Sequence, residues 1–156
     1  MMFLAVAINE PDNKLIASLI NIFTCSKAHH VEVVFSDGWT LSSRPGFVGL
    51  MQRQYNYYDW LMIPLDTINS EREKVIRKWA EELTLLEPKY DYLGAFSGLF
   101  GSARDNPEKW FCGELCAKAL EEDIPELKAL DWATPEKIWK LMNNYAGDPT
   151  LAKIYK

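Results

Sequence analysis

Ala28-His29-His30-Val31-Glu32-Val33-Val34-Phe35 is rich in β-branched residues, and it predicts a β-strand over 30–35. The next residues, Ser36-Asp37-Gly38, predict a tight turn. Trp39 to Ser43 then predict the antiparallel partner of the first strand. The sequence therefore predicts a β-hairpin in the first third of the chain.

The segments around this hairpin place strands early and helices late. Apolar residues over 3–8 and 58–65 predict two further strands, and helical spacing over 13–23 predicts a helix. The second half predicts helices from Ser70, over 93–100 and over 111–122, and a last helix that begins near Thr134 and Pro135. This order predicts one α+β domain over 1–156, with helices packed on one side of a small antiparallel sheet.

Composition and charge limit the classes of function. The chain has 156 residues, of which 48% are hydrophobic, and this suits one globular domain with a substantial core. The net charge of −5 and the lack of a basic stripe argue against a nucleic-acid partner. The acidic surface and many aromatic residues would suit a protein partner.

The apolar runs and the cysteines together predict where in the cell the protein is located. No apolar run is long enough to span a bilayer, so no membrane partner is expected. The short apolar start lacks basic residues and predicts a strand rather than a signal peptide. Three cysteines without secretory context predict reduced thiols in a cytoplasmic protein.

Cys112 is the candidate nucleophile, because it is predicted to lie in the first turn of a helix. The positive end of the helix dipole favours a thiolate there. Gly113 is predicted to leave room for a substrate to approach the sulfur, whereas Cys116, one turn further, is predicted to be inert core. Tyr90, ahead of this helix, is a candidate donor to an oxyanion together with the backbone N–H of Cys112.

His30 is the candidate base that would accept the thiol proton. Adjacent strand residues face opposite ways, and His29 shares its face with Val31 and Val33, so it is predicted to be the buried histidine. His30 shares its face with Glu32. Either Glu32 accepts a hydrogen bond from the second ring nitrogen of His30 and orients the ring, or it is a solvent-facing strand residue.

A zinc site is the chemical alternative. Its candidate ligands are Cys25, His29, His30, Cys112 and Cys116. The spacings are Cys-x3-His and Cys-x3-Cys, and only one cysteine pair exists, whereas structural zinc sites usually pair two such motifs. We therefore expect no metal and no other cofactor.

These motifs resemble the NlpC-type cysteine peptidases of the papain-like superfamily. They are most similar to the circularly permuted branch that includes YiiX, YebB and lecithin retinol acyltransferase, in which the histidine strand precedes the cysteine motif. The segments that carry the resemblance are Val31-Glu32-Val33-Val34-Phe35-Ser36-Asp37-Gly38, Pro88-Lys89-Tyr90-Asp91 and Phe111-Cys112-Gly113-Glu114-Leu115. Compact single-domain versions of this pattern are similar to proteins of bacteria and their phages.

The resemblance implies a permuted papain-like fold and a catalytic pair, with Cys112 as nucleophile and His30 as base. The third polar residue in many relatives falls near Ser42, and Glu32 is the alternative for that role. Tyr90, Gly113 and Ser42 complete the predicted site as substrate-binding residues.

The implied reaction is attack of a thiolate on a carbonyl, followed by hydrolysis or acyl transfer. We expect cleavage of an amide or isopeptide bond, with specificity in loops at 44–57 and 101–110. A thiol acyltransferase and a non-catalytic binding or inhibitory module on the same fold are the alternatives.

Overall fold

The computed structural model describes residues 1–8, 28–56, 58–97 and 108–145. Five strands form one sheet: β1 Phe3–Ala7, β2 His30–Val34, β3 Trp39–Arg44, β4 Phe47–Gln52 and β5 Trp60–Pro64. Their spatial order is β4-β3-β2-β1-β5, and every neighbouring pair is antiparallel. The predicted hairpin is confirmed as β2 and β3, in which Val34 lies opposite Thr40.

The helices follow the sheet in the chain. They are α1 Ser70–Leu85, α2 Tyr92–Ser97, α3 Cys112–Leu120, α4 Pro125–Lys128 and α5 Pro135–Tyr145. Two short strands, β6 Lys89–Tyr90 and β7 Lys109–Trp110, pair in parallel just before α2 and α3. The described residues therefore form the predicted α+β architecture, while the helix predicted over 13–23 lies outside them.

One face of the sheet packs against the helices and forms the main core. Alternate strand residues such as Val31, Val33 and Leu41 are buried there against Leu115 and Leu120 of α3. This period-2 alternation is what a half-buried strand requires. The core fixes α3 against β2 and β3, and this places Cys112 beside the sheet.

The opposite face is also buried and holds a smaller cluster. Ala5, Ala7, Val34 and Trp60 pack together there, with Tyr55 against them. Glu32 lies between His30 and Val34 in the alternation of β2, and its side chain is fully buried. The solvent-facing alternative for Glu32 is therefore wrong.

Strand β4 corrects the prediction of a loop over 44–57. Gly49 interrupts the run of apolar residues in this strand, and this interruption concealed the strand pattern in the sequence. Its φ is 146°. A Cβ atom at Gly49 would lie 2.8 Å from Oγ1 of Thr84, so glycine lets α1 approach the strand closely. Helix α1 begins at Ser70 as predicted. The residue that caps it is Asn69, whose side chain accepts a hydrogen bond of 2.9 Å from the backbone N–H of Arg72.

Candidate functional site

Cys112 and His30 lie where the start of α3 meets the start of β2. The residue before the helix, Phe111, is extended with φ −102° and ψ 167°, so Cys112 begins α3 as predicted. The Ser43 hydroxyl of β3 donates a hydrogen bond of 2.7 Å to the carbonyl oxygen of Trp110. This bond ties the chain immediately before α3 to the sheet and positions the thiol.

The His30 side chain contacts both Cys112 and Glu32. Its Nε2 lies 3.1 Å from Oε1 of Glu32, and its ring is close enough to Cys112 for the sulfur to raise the pKa of the imidazole. The ring also packs edge-on against Trp60, with centroids 5.9 Å apart. The structure therefore brings together the three residues that the sequence predicted as catalytic.

Glu32 is the centre of a buried polar network. Ser42 donates a hydrogen bond of 2.6 Å to its Oε1, and the Tyr55 hydroxyl donates one of 2.6 Å to its Oε2. The guanidinium groups of Arg44 and Arg53 lie 3.2 and 3.5 Å from Oε1. Such charge-assisted contacts hold a carboxylate in one position.

These contacts shift the pKa values of both members of the His30–Glu32 pair. Burial alone raises the pKa of Glu32, but hydrogen bonds from His30, Ser42 and Tyr55 outweigh it and lower the value to about 2. Burial likewise lowers the pKa of His30, while the charges of a Cys112 thiolate and of Glu32 raise it to about 10. The pKa of His30 therefore lies well above its usual value, because Cys112 and Glu32 both favour the protonated ring.

Ser42 is predicted to bind substrate, but its side chain contacts Glu32 instead of lining the Cys112 pocket. Its side chain is fully buried, and its hydroxyl is occupied by Glu32. Ser42 therefore supports Glu32, and it is Glu32 that contacts the His30 ring. Of the two candidates for the third polar residue, Glu32 is therefore the one in contact with the His30 ring.

Gly113 also has a different physical role from the predicted one. The space beside its Cα is filled by the backbone of Ala133, and an added Cβ would collide with the carbonyl oxygen of that residue. Glycine is thus required by the close approach of the chain before α5, and it does not open a path for substrate to the sulfur.

An open pocket leads to Cys112 on the helix side of the sheet. The space in it that the centre of a water molecule can occupy is about 20 Å³, and its wall contains Cys112 and Tyr90. The parallel pairing of Tyr90 and Trp110 places the tyrosine there. Burial and a Cys112 thiolate both raise the pKa of Tyr90, so its hydroxyl keeps its proton and can donate a hydrogen bond.

His29 and Cys116 are placed as the sequence predicted. His29 is 8% exposed and lies at the wall of the same pocket, on the other side of the strand from Glu32. Cys116 is buried in the main core, and this burial raises the pKa of its thiol. Both thiols are buried in the main core, Cys112 being 4% and Cys116 1% exposed, and of the two it is Cys112 that lies in the pocket wall and next to His30.

The zinc alternative was tested on the described residues. Within 1–8, 28–56, 58–97 and 108–145, no group of at least three His, Cys, Asp or Glu side chains is arranged to hold a metal ion. Cys25, the remaining candidate ligand, lies outside these ranges.

Sequence reasoning missed the residues that surround Glu32 from β4 and the chain after it. Arg53 and Tyr55 alternate just beyond the end of β4, and the Arg53 guanidinium lies 4.5 Å from the ring centroid of Trp60. The alternation of these two polar side chains was the available signal, and it was lost because β4 itself was predicted to be a loop.

Comparisons with known proteins found no match for this chain. No protein-family model matches the sequence, no curated protein is similar to it, and no solved structure matches its fold. Across the described segments, no helix combines the length and the apolar character needed to cross a bilayer.

Proposed function

We propose that this protein is a cysteine-dependent amidase or peptidase with Cys112 as nucleophile and His30 as general base and acid. The observation that supports this most is the His30 ring, which contacts Cys112 and fully buried Glu32 at once. A nucleophile, a base and a group that orients the base define the arrangement used for acyl transfer.

The first step is attack of the Cys112 thiolate on the carbonyl carbon of the substrate. A C–S bond forms, and the electron pair of the carbonyl moves to its oxygen. When the tetrahedral intermediate collapses, the C–N bond breaks and the His30 imidazolium gives its proton to the departing amine. The products of this step are a free amine, an acyl-thioester on Cys112 and a neutral His30.

The second step returns the enzyme to its starting state. Neutral His30 accepts a proton from water, and the resulting hydroxide attacks the thioester carbonyl. The C–S bond breaks, a carboxylic acid leaves, and the thiolate–imidazolium pair forms again. Another nucleophile in place of water would make the same site an acyltransferase.

Two donors are available for the oxyanion of both steps. The backbone N–H of Cys112 lies at the start of α3, where helix N–H groups have no partner within the helix. The Tyr90 hydroxyl is the second proposed donor, because it lies in the wall of the same pocket and retains its proton. Donors placed in this way stabilise developing negative charge.

The proposed family is the permuted branch of the NlpC-type, papain-like superfamily. A histidine on an early strand and a cysteine that begins a later helix support this proposal, as does the antiparallel sheet against which α3 packs. A cytoplasmic location and a peptide or amide-containing substrate belong to the same proposal.

The experiment compares two thiols of the same helix. We expect iodoacetamide at about pH 6 to alkylate Cys112 at least roughly tenfold faster than Cys116, because an ordinary thiol is almost fully protonated there. Peptide mapping by mass spectrometry gives the two rates separately. His30→Gln should remove the advantage of Cys112.

Acylation then separates an enzyme from a reactive thiol. N-acetylglycine p-nitrophenyl ester should leave one acyl group on Cys112, and this group should be lost more slowly from His30→Gln than from the unmodified protein. Equal alkylation of Cys112 and Cys116, or no acyl group on Cys112, would contradict the proposed activity. A stable complex with a protein partner that survives Cys112→Ala would instead favour the non-catalytic binding module.

A further inference from the structure

Trp60 lies in the same cross-strand row as His30, with Ala7 of β1 between them. Ala7 pairs with His30 on one side and with Trp60 on the other. Residues directly opposite each other in antiparallel strands project from the same face of the sheet. Neighbouring strands lie about 4.8 Å apart, so the backbones of His30 and Trp60 are separated by about 10 Å. Their ring centroids are 5.9 Å apart, so the two side chains meet over Ala7.

The small side chain of Ala7 permits this contact. It is a single methyl group, and the residue is 1% exposed. Ala5, two residues earlier, takes the same place between Glu32 and Met62. The two alanines of β1 therefore leave space above the sheet for the longer side chains of β2 and β5. In a close-packed interior, a larger residue at position 7 would occupy the space in which the two rings meet.

Arg53 connects Trp60 to the carboxylate that holds His30. Its guanidinium carbon lies 4.5 Å from the centroid of the Trp60 ring, and its Nη1 lies 3.5 Å from Oε1 of Glu32. The Tyr55 ring packs edge-on against Trp60 with centroids 5.1 Å apart, while its hydroxyl donates a hydrogen bond to Glu32. These contacts form a closed circuit, in which Trp60 reaches the His30 ring through an aromatic contact.

We infer that Trp60 is a positioning residue for the general base, because its ring restrains the tilt of the His30 imidazole between Glu32 and Cys112. This inference rests on the proposed function, since it takes His30 as the base that serves Cys112. The contact between Nε2 and Glu32 restrains one point of the imidazole. The edge-on contact with Trp60 adds a second restraint, with the two ring planes at 80°. Trp60 is itself 3% exposed, so its neighbours hold it in place.

The first experiment separates positioning from binding by the concentration dependence of Cys112 acylation. Intact-mass spectrometry with N-acetylglycine p-nitrophenyl ester gives the rate constant at saturating ester and the half-saturating concentration. Trp60→Leu should lower the saturating rate constant about tenfold, as expected for loss of one oriented aromatic contact. It should leave the half-saturating concentration within about twofold, because Trp60 lies outside the wall of the Cys112 pocket. Trp60→Phe keeps an aromatic ring and should retain about a third or more of the rate.

Trp139→Leu is the matched control for Trp60→Leu. Trp139 is a partly buried tryptophan of α5 that packs against the main core, on the helix side of the sheet. Its replacement should leave the saturating rate constant unchanged. An equal loss in both leucine variants, or no loss in Trp60→Leu, would overturn the inference and leave the proposed activity standing.

A measurement of the imidazole itself tests the inference without catalysis. The chain contains two histidines, so His29→Gln and His30→Gln assign the signals of both rings. In 13C relaxation of the Cδ2–Hδ2 bond, we expect an order parameter of about 0.85 for His30, as in a rigid backbone. Trp60→Phe and Trp60→Leu should lower this value and leave that of His29 unchanged, since His29 faces the other side of the sheet.

These outcomes keep the two proposals apart. If the unmodified protein is not acylated at Cys112 but the order of the His30 ring falls in the Trp60 variants, the proposed activity fails and the positioning of His30 by Trp60 stands. If the His30 ring keeps its order in both variants, Trp60 does not position it, whatever the rate of acylation. Trp60→Phe retains most of the buried volume, so it gives the answer if Trp60→Leu does not fold.

Discussion

The two sides of the His30 ring differ in the number of charged and polar groups that face them. On the Glu32 side, Ser42 and Tyr55 donate hydrogen bonds of 2.6 Å to the two carboxylate oxygens, and two guanidinium groups lie within 3.5 Å. On the Cys112 side, the pocket wall is mainly apolar, and Nε1 of Trp132 has no partner among the described residues.

This difference separates the side of the ring that is held by polar contacts from the side that faces Cys112. A buried network in which every oxygen has donors is rigid, so it can hold the His30 ring in one orientation. The wall of the Cys112 pocket contains no Asp, Glu, Lys or Arg side chain among the described residues, so it supplies no ionic partner to the ring. The predictions below weaken the network side in steps and ask whether the pocket side responds.

The largest effect is expected for Glu32→Gln. This change keeps the shape but removes the negative charge that faces Arg44, Arg53 and His30. Removing one partner from a buried ionic group typically costs about 3–5 kcal/mol of stability. Because Arg44 is 26% exposed, we expect the lower end of this range, a decrease of about 3 kcal/mol in the free energy of unfolding. Urea denaturation measures the free energy of unfolding.

The control for that change is Glu71→Gln, because the Glu71 side chain is 79% exposed. It should alter the free energy of unfolding by less than about 0.5 kcal/mol. Glu32→Gln should also slow the alkylation of Cys112 at about pH 6, since His30 loses an anionic partner. Stability equal to that of Glu71→Gln would show that the network is not a major source of stability.

The sequence predicted which candidate site residues lie together better than it predicted the residues around them. His30, Glu32 and Cys112 carry their chemistry in local patterns, namely the alternation of one strand and the start of one helix. Such patterns place side chains on a face before any tertiary contact is known. The α+β architecture followed in the same way from the order of strands and helices.

The supporting residues depended on pairing between distant segments. Tyr55 contacts Glu32 only because β3 and β4 pair with each other, and Gly49 concealed β4 in the sequence. Gly113 was misinterpreted for a similar reason, because the backbone of Ala133 that fills its space comes from a separate loop. Close approaches of this kind follow from packing and leave no periodic signal.

The next prediction concerns stability at high pH. In the folded protein, burial lowers the pKa of His30, but Cys112 and Glu32 outweigh this and raise it to about 10, above the unfolded value of about 6.5. Protonated His30 therefore stabilises the fold fully below about pH 6.5, and this contribution is lost as the pH rises toward about 10. We expect the stability difference between the unmodified protein and His30→Gln to shrink over that range.

Acid should act on Glu32 in the opposite direction. Its folded pKa of about 2 lies below the usual value of 4.5, so its contribution is present above about pH 4.5 and is lost as the pH falls through about 2. Urea titrations at several pH values measure both limits of this window. A difference between the unmodified protein and His30→Gln that stays constant from about pH 6 to about pH 10 would contradict the proposed pairing of His30.

The smallest effect is expected when one neutral donor is removed from Glu32. Tyr55→Phe deletes the hydroxyl that donates a hydrogen bond to Oε2 of Glu32. Ser42→Ala deletes only one of the contacts to Oε1, because His30 and Arg44 also contact that oxygen. Hydrogen bonds to charged groups contribute about 1.5–3 kcal/mol, so Tyr55→Phe should cost about 1.5 kcal/mol and Ser42→Ala less, because the remaining donors still satisfy Oε1. Urea denaturation gives both values. If the network positions His30, both variants should also lower the rate at which N-acetylglycine p-nitrophenyl ester acylates Cys112. Unchanged acylation rates in both variants would contradict a positioning role for the network.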